Sequence, residues 1–190
     1  MNYLTFNQVV SFMEDTYWVN AKGSGLYTQP LSRMLGQIKA MLSHHNKVLL
    51  LRFDLHQPEF SDTSKHVSKF FKQLIDKLTK QYKLKRIGFA WAREQEKVDQ
   101  QHYHCFILLD GNKVRVPHNI IKAAQWYWGT LYDGHLSWPS ERCYYLINRG
   151  DKEKLQEAIY HISYLAKGRG KDRKPEQSKS FGISRVQEKE

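Results

Sequence analysis

Ten residues, Lys47 to His56 (KVLLLRFDLH), constrain the fold more than any other stretch of the chain. The run is apolar, rich in strand formers, and bounded by His-His-Asn before and Gln-Pro after, so it reads as a core strand. Two further runs, Arg86 to Arg93 (RIGFAWAR) and His102 to Leu109 (HYHCFILL), flank the charged loop EQEKVDQ and read as a hairpin. Residues 63–83 read as a helix: Val67, Phe70, Phe71, Leu74 and Leu78 keep helical spacing, while Lys65, Lys69, Lys72, Lys77 and Lys80 lie largely off that stripe. A helix over His118–Tyr132, a short strand over Cys143–Ile147 and a last helix over Asp151–Lys167 complete the core. Before Lys47, two helical stripes are expected, Val9, Val10, Phe12, Met13 and Tyr17, then Leu31, Met34, Leu35, Ile38 and Met41, broken by the KGSG of residues 22–25. The order predicts an α+β fold with one central antiparallel sheet flanked by helices. It divides into a helical extension over 1–45 packed on the core, a core domain over 46–170, and a basic tail over 171–190.

At 190 residues the chain has room for one domain and no separate motor. Thirty Lys and Arg against nineteen Asp and Glu leave a net charge of +11, which points to a polyanionic partner, nucleic acid first. Residues 167–174 (KGRGKDRK) hold five Lys or Arg against one Asp, so Arg169, Lys171, Arg173 and Lys174 are candidate phosphate contacts. Trp126, Tyr127 and Trp128 are candidates for stacking on unpaired bases, with core packing the competing use for at least two of them. No stretch has the length and apolarity of a membrane span, and MNYLTFNQVV lacks a signal-peptide layout, so a cytoplasmic protein is expected. Cys105 and Cys143 lie in apolar segments without CxxC spacing and read as buried hydrophobes.

The chemistry concentrates at His102-Tyr103-His104. Residues two apart on a strand share a face about 6 to 7 Å apart, within reach of one metal ion. An isolated HxH is more often two strand-end histidines, but the preceding strand adds weight. With 95–101 as the loop, Glu94 pairs with His102 and Ala92 with His104; slipped by two, Glu96 faces His102 and Glu94 faces His104. Either register adds a carboxylate to the two imidazoles, a mixed N/O set suited to Mg²⁺ or Mn²⁺. Were Glu94 only a solvated loop carboxylate, Arg93 would be its partner.

A second group lies on the last helix. With Tyr160 at zero, Tyr164 falls near about +40° and Lys167 near about −20°, whereas Leu155, Ile159, Ile162 and Ala166 gather at roughly −100° to −160°. Two phenols and an ammonium therefore share a face away from the core stripe. A phenol, with a pKa of about 10, is a poor nucleophile unless a cation activates it or its target. A metal ion polarising a phosphodiester, with Lys167 stabilising developing charge, meets that need.

Together HYH and YHISYLAK resemble the HUH endonucleases, the tyrosine nucleases of rolling-circle replication, conjugation and single-strand transposition. More narrowly, VLLLRFDL, WAREQE, HYHCFILLDGN, SYLAKGRGKD and SFGISR, spread from Val48 to Arg185, resemble the inovirus gene II type and YagK/YfjJ-like replication proteins of phages, prophages and satellites. The resemblance implies an HUH fold, making 46–170 the nuclease domain. It also implies a divalent cation held by His102, His104 and Glu94, Tyr164 as the nucleophile that keeps the 5′ phosphate, Lys167 as the motif lysine, and Tyr160 as the additional tyrosine of two-tyrosine initiators. The expected activity is nicking and rejoining of single-stranded or hairpin origin DNA, with helicase and polymerase supplied by other proteins. A small transposase or relaxase of the same chemistry, and a non-catalytic nucleic-acid-binding module, are the competing readings. Lys167 favours an initiator over the transposases.

Overall fold

The computed structural model describes residues 3–97, 100–139, 142–171 and 175–190. The chain opens with β1 (Leu4–Thr5), a hairpin of β2 (Val9–Phe12) and β3 (Asp15–Trp18), then β4 (Leu26–Tyr27) and α1 (Thr28–His44). Next come β5 (Lys47–His56), α2 (Lys65–Tyr82), β6 (Gly88–Lys97), β7 (Gln100–Asp110) and α3 (His118–Tyr132). The last elements are β8 (His135–Ser137), β9 (Tyr144–Asn148), α4 (Lys152–Ile162), a 3₁₀ turn over Ser163–Ala166, and β10 (Phe181–Ile183).

Six strands make the central sheet in the order β10, β6, β7, β5, with β8 and β9 sharing the far edge of β5. Every pairing is antiparallel. The fold is therefore the expected α+β arrangement, a central antiparallel sheet with helices on both sides. Alternation along β5 explains the layering. Leu49, Leu51, Phe53 and Leu55, with Tyr103, Cys105, Ile107 and Leu109 of β7, face α2 and α3. Val48 and Leu50, with Ala90, Ala92, Phe106 and Leu108, face α1 and α4. Both surfaces of β5 are buried, which is why its sequence is nearly continuously apolar.

The first helical stripe is not a helix. Residues 9–18 form the β2–β3 hairpin, in which Val10 pairs with Tyr17 and Phe12 with Asp15. Val9, Val10, Thr16, Tyr17 and Trp18 are β-branched or aromatic, and burial alternates along both strands, so period 2 overrides the apparent period 3.6. Met13 takes φ of 54° to close the two-residue turn. The EQEKVDQ segment is strand rather than loop for most of its length, since β6 runs to Lys97 and β7 starts at Gln100, with a register irregularity between Gln95 and Lys97. The 171–190 segment also departs from a tail. Phe181, Gly182 and Ile183 pair with Ala92, Trp91 and Ala90, and Ser184 and Val186 bond to Gln37 of α1. Gly182 lies so close to the Trp91 ring that a Cβ there would stand 2.2 Å from it.

The last helix ends before Tyr164. Ser163 Oγ donates to the Tyr160 carbonyl at 2.7 Å and accepts from the Asn20 amide at 2.9 Å. The hydroxyl thus ties the end of α4 to the chain leaving the hairpin, and the backbone tightens into the 3₁₀ turn that carries Tyr164. Cys105 is buried and Cys143 partly so, both unpaired. No helix among the described residues is long and apolar enough to cross a membrane.

Candidate metal and tyrosine site

The face of the sheet under α1 and α4 changes character halfway along the strands. In β5 the parity that buries Val48 and Leu50 continues into Arg52, Asp54 and His56; in β7 it runs from Leu108 and Phe106 into His104 and His102; in β6 it runs from Ala90 and Ala92 into Glu94. Register joins them, with Asp54 opposite His104, His56 opposite His102, and Glu94 opposite His102. This is the first of the two registers open to the sequence. Glu96 lies outside it, and its side chain is beyond the described residues. Arg93 turns to the other face, where it donates to the Ser61 carbonyl at 2.9 Å and to Gln95 and Gln101, so it is not a partner of Glu94.

Glu94, His102 and His104 bring one ligand atom each to within 4.8 Å of the others. His104 Nε2 is 2.8 Å from Glu94 Oε2 and 3.2 Å from His102 Nε2, while His104 Nδ1 is 2.8 Å from Asp54 Oδ1. Neighbouring ligands about 2.0–2.2 Å from an octahedral cation stand roughly 3 Å apart, so these spacings fit a divalent ion. Asp54 supplies the outer carboxylate that fixes the tautomer and ring orientation of a metal-binding histidine. The donor set of two imidazoles and one carboxylate lacks the thiolates of a structural zinc site.

The electrostatics follow from burial. Burial opposes the His104 imidazolium, but Asp54 and Glu94 outweigh it and raise the pKa. Burial likewise opposes ionised Glu94 and Asp54, and in both cases the His104 hydrogen bond and charge win, holding the carboxyls below the ordinary range. His102 is pushed down to about 4, by burial and then by His104, and so offers a neutral imidazole at pH 7.

Tyr164 meets this cluster edge-on, its ring centre 4.9 Å from that of His104 at 90°. Two cations lie over the phenol ring, Arg52 at 5.0 Å and Lys167 Nζ at 5.0 Å. Burial, then the Glu94 charge, raises the Tyr164 pKa, with Arg169 and Arg52 opposing. Lys167 donates to the Lys22 carbonyl at 3.2 Å, and its backbone amide turns back to the Tyr164 carbonyl. Beyond it the chain crosses Glu94: the Gly170 carbonyl accepts from the Gln95 amide at 3.1 Å. Gly170 is left-handed, φ 64°, and a Cβ there would stand 2.8 Å from Glu94 Cγ, so a side chain fails on both counts.

The other expected residues divide. Tyr160 is 43% exposed and lines a cleft with Tyr164, but has no contact with the histidines. Arg169 is exposed, 3.9 Å from Glu94 Oε1, at the mouth of the site. Lys171 is not a surface phosphate contact: it is 4% exposed, its ammonium faces the Phe181 ring at 5.6 Å, and its Nζ has no hydrogen-bond partner among the described residues. Desolvation pushes its pKa down to about 8. Arg173 and Lys174 lie outside the described residues. Trp128 is fully buried and Tyr127 packs against the core, leaving Trp126 exposed.

Sequence reasoning passed over Arg52 and Asp54. Both are charged residues inside an otherwise apolar strand, at the same parity as His56, and that was their signal. Arg52 is 7% exposed, donates to the His161 carbonyl at 3.2 Å, and has no ion-pair partner among the described residues. Its Nε is buried without an acceptor.

No curated protein matches the chain significantly. A family model does, over residues 11–184, a span that begins in the β2–β3 hairpin and ends just past β10 and so takes in every strand and side chain of the site. The chain belongs to the YagK/YfjJ C-terminal domain family.

Proposed function

We propose that the protein is a metal-dependent DNA strand transferase of the HUH type, which nicks and rejoins one strand through a 5′-phosphotyrosine and initiates rolling-circle replication of a phage or related mobile element. The observation that carries this reading is the Tyr164 phenol packed edge-on against His104, in a cluster that also holds His102, Glu94 and two cations. A fold that only binds DNA does not require a half-buried phenol set against a metal-binding imidazole; a transesterase needs both.

In the proposed reaction the Tyr164 oxygen attacks the scissile phosphorus, the bond to the 3′ oxygen breaks, and the phenolic proton is lost as the new P–O bond forms. The departing oxygen takes up a proton and becomes the 3′ hydroxyl from which a polymerase extends. A divalent ion at His102, His104 and Glu94 would withdraw charge from the phosphate. Asp54 holds the His104 ring in place. Lys167 and Arg52 stabilise the negative charge that passes from phenolate to phosphate, while Arg169 and Arg52 oppose the burial and Glu94 charge that hold the phenol protonated. Rejoining is the reverse, with a 3′ hydroxyl attacking the phosphotyrosine. Arg169 at the mouth and the basic face of α2 serve the backbone of single-stranded or hairpin origin DNA. Helicase and polymerase come from other proteins.

The test is a covalent adduct. Purified protein, Mn²⁺ and labelled single-stranded DNA from the element's own origin are expected to give a labelled band at protein size on a denaturing gel. The band is expected to vanish with EDTA and in Tyr164→Phe, while DNA binding survives. Salt-sensitive binding with no adduct on any neighbouring sequence would instead make the chain a binding module.

A further inference from the structure

Beside Tyr164 lies a cleft of about 970 Å³ of whose lining the reaction above uses only Arg52 and Tyr164. Its volume is that of a small-molecule site rather than a surface dimple. Its lining includes Arg52 and Tyr164 together with Trp18 from the β2–β3 hairpin, Tyr160 from α4, and Tyr145 from β9.

Trp18 is 61% exposed, yet its backbone is fixed. Its amide donates to Gln156 Oε1 at 3.0 Å, its carbonyl accepts from Gln156 Nε2 at 2.9 Å, and Asn20, two residues on, is held by Ser163. A large apolar ring is thus presented on a braced hairpin, clamped to the helix that leads into Tyr164. Scattered exposed aromatics need no explanation, but two of them on one cleft with a buried cation in its lining do.

The charges on the lining are few. Arg52 is a desolvated guanidinium, 7% exposed, that donates to the His161 carbonyl and carries a positive charge suited to a phosphate. Glu157 is tied to Arg142 at 2.5 Å, and Glu153 is a further carboxylate on the lining. An anion is favoured beside Arg52, and a neutral, flat, apolar-faced group is favoured against the aromatic walls.

We infer that this cleft is a nucleobase pocket, which takes the base of the nucleotide adjoining the scissile phosphate and stacks it against Trp18 and Tyr160. The words "scissile phosphate" rest on the nuclease reading; the pocket itself does not. Tyr160 serves here through its ring face and not as a nucleophile. Arg52 is the link between the pocket and the reacting phosphate.

The test is a binding measurement in EDTA, where nicking cannot intervene: fluorescence anisotropy of a short fluorescein-labelled single-stranded oligodeoxynucleotide from the origin, and of the same oligonucleotide with one base at a time replaced by an abasic site. Stacking on one aromatic ring gives about 5- to 140-fold in affinity. Trp18→Ala and Tyr160→Ala are each expected to weaken binding by that amount, while Trp18→Phe and Tyr160→Phe recover most of it. One abasic position is expected to weaken the unmodified protein and to add little in Trp18→Ala. Trp18→Ala and Tyr160→Ala within about twofold of the unmodified protein would overturn the pocket. So would Tyr160→Phe as damaging as Tyr160→Ala, since the hydroxyl and not the ring would then be the contact. Loss of the Tyr164 adduct reading leaves this binding result standing, so the two failures are separable.

Discussion

Removing the Asp54 carboxylate is expected to weaken Mn²⁺ binding without removing a ligand. Asp54 Oδ1 is 2.8 Å from His104 Nδ1, and the ring it holds is 6% exposed. One hydrogen bond to a charged group contributes about 1.5–3 kcal/mol, which converts to roughly 10- to 100-fold in metal affinity, the range expected for an outer carboxylate on a ligating histidine. A second effect opposes it. Asp54 also helps to raise the His104 pKa, so its loss relieves competition between proton and metal at Nε2. Calorimetric titration of Mn²⁺ into Asp54→Ala and the unmodified protein, from pH 6 to pH 9, separates the two. The deficit should be smallest at low pH and reach its full size where His104 is deprotonated in both proteins. Asp54→Asn, which keeps an acceptor but not the charge, should lie between. If Asp54→Ala binds Mn²⁺ within about twofold of the unmodified protein at pH 9 while His104→Ala abolishes binding, the positioning role is wrong. If His104→Ala and Glu94→Gln also bind normally, the metal centre itself is wrong.

Lys171→Met is expected to stabilise the metal-free fold at pH 7. Its pKa falls from 10.5 to about 8, and at about 1.4 kcal/mol for each tenfold the buried charge costs about 3 kcal/mol, read by urea unfolding. In the unmodified protein stability should rise from about pH 8 towards 10.5, because the unfolded chain still binds the proton that the folded one has released, and the variant should lose that slope. His161 runs to the acid side: burial, then Arg52, pushes its pKa down to about 4 from 6.5, so unfolded chains bind the extra proton in that window and stability falls as pH drops through it. His161→Gln should flatten this limb in urea melts between pH 7 and pH 4, and an unchanged slope would assign the acid sensitivity elsewhere. Met13→Gly should raise stability by about 0.5–1 kcal/mol, since φ of 54° disfavours a side chain, and a loss in thermal melts would show that the Met13 side chain makes contacts that outweigh the backbone.

Where local pattern and burial agree, the sequence was enough. The Lys47–His56 and His118–Tyr132 segments have the bounds of β5 and α3, and strand parity puts a carboxylate on the face of the two imidazoles, while the choice between the two registers is made by the fold. Residues 9–18 are ambiguous in sequence, because valines and aromatics at those spacings satisfy a helical stripe as well as an alternating strand. β8 and β10 are three residues each and exist through their partners, β5 and β6, so no window of sequence holds their signal. Helical periodicity carries the last helix through Tyr164, whereas a Ser163 hydroxyl bonded to residues 3 and 143 positions away sets the tighter turn. Lys171 looked like a surface cation because five basic residues share its segment; the fold covers it, and only the path of the chain over Glu94 shows this.

The irregularity between Gln95 and Lys97 has a consequence for how the family can vary. From Gly88 opposite Leu108 to Gln95 opposite Gln101 the β6–β7 ladder keeps one register, and the three ligands all lie within it. A residue inserted before Glu94 flips the carboxylate to the far face of the sheet, away from both imidazoles. A residue inserted after Gln95 falls where the ladder is already broken and leaves every ligand in place. Length changes among relatives should therefore gather at the hairpin tip, where the loop can vary while the Glu94, His102 and His104 side chains stay on one face.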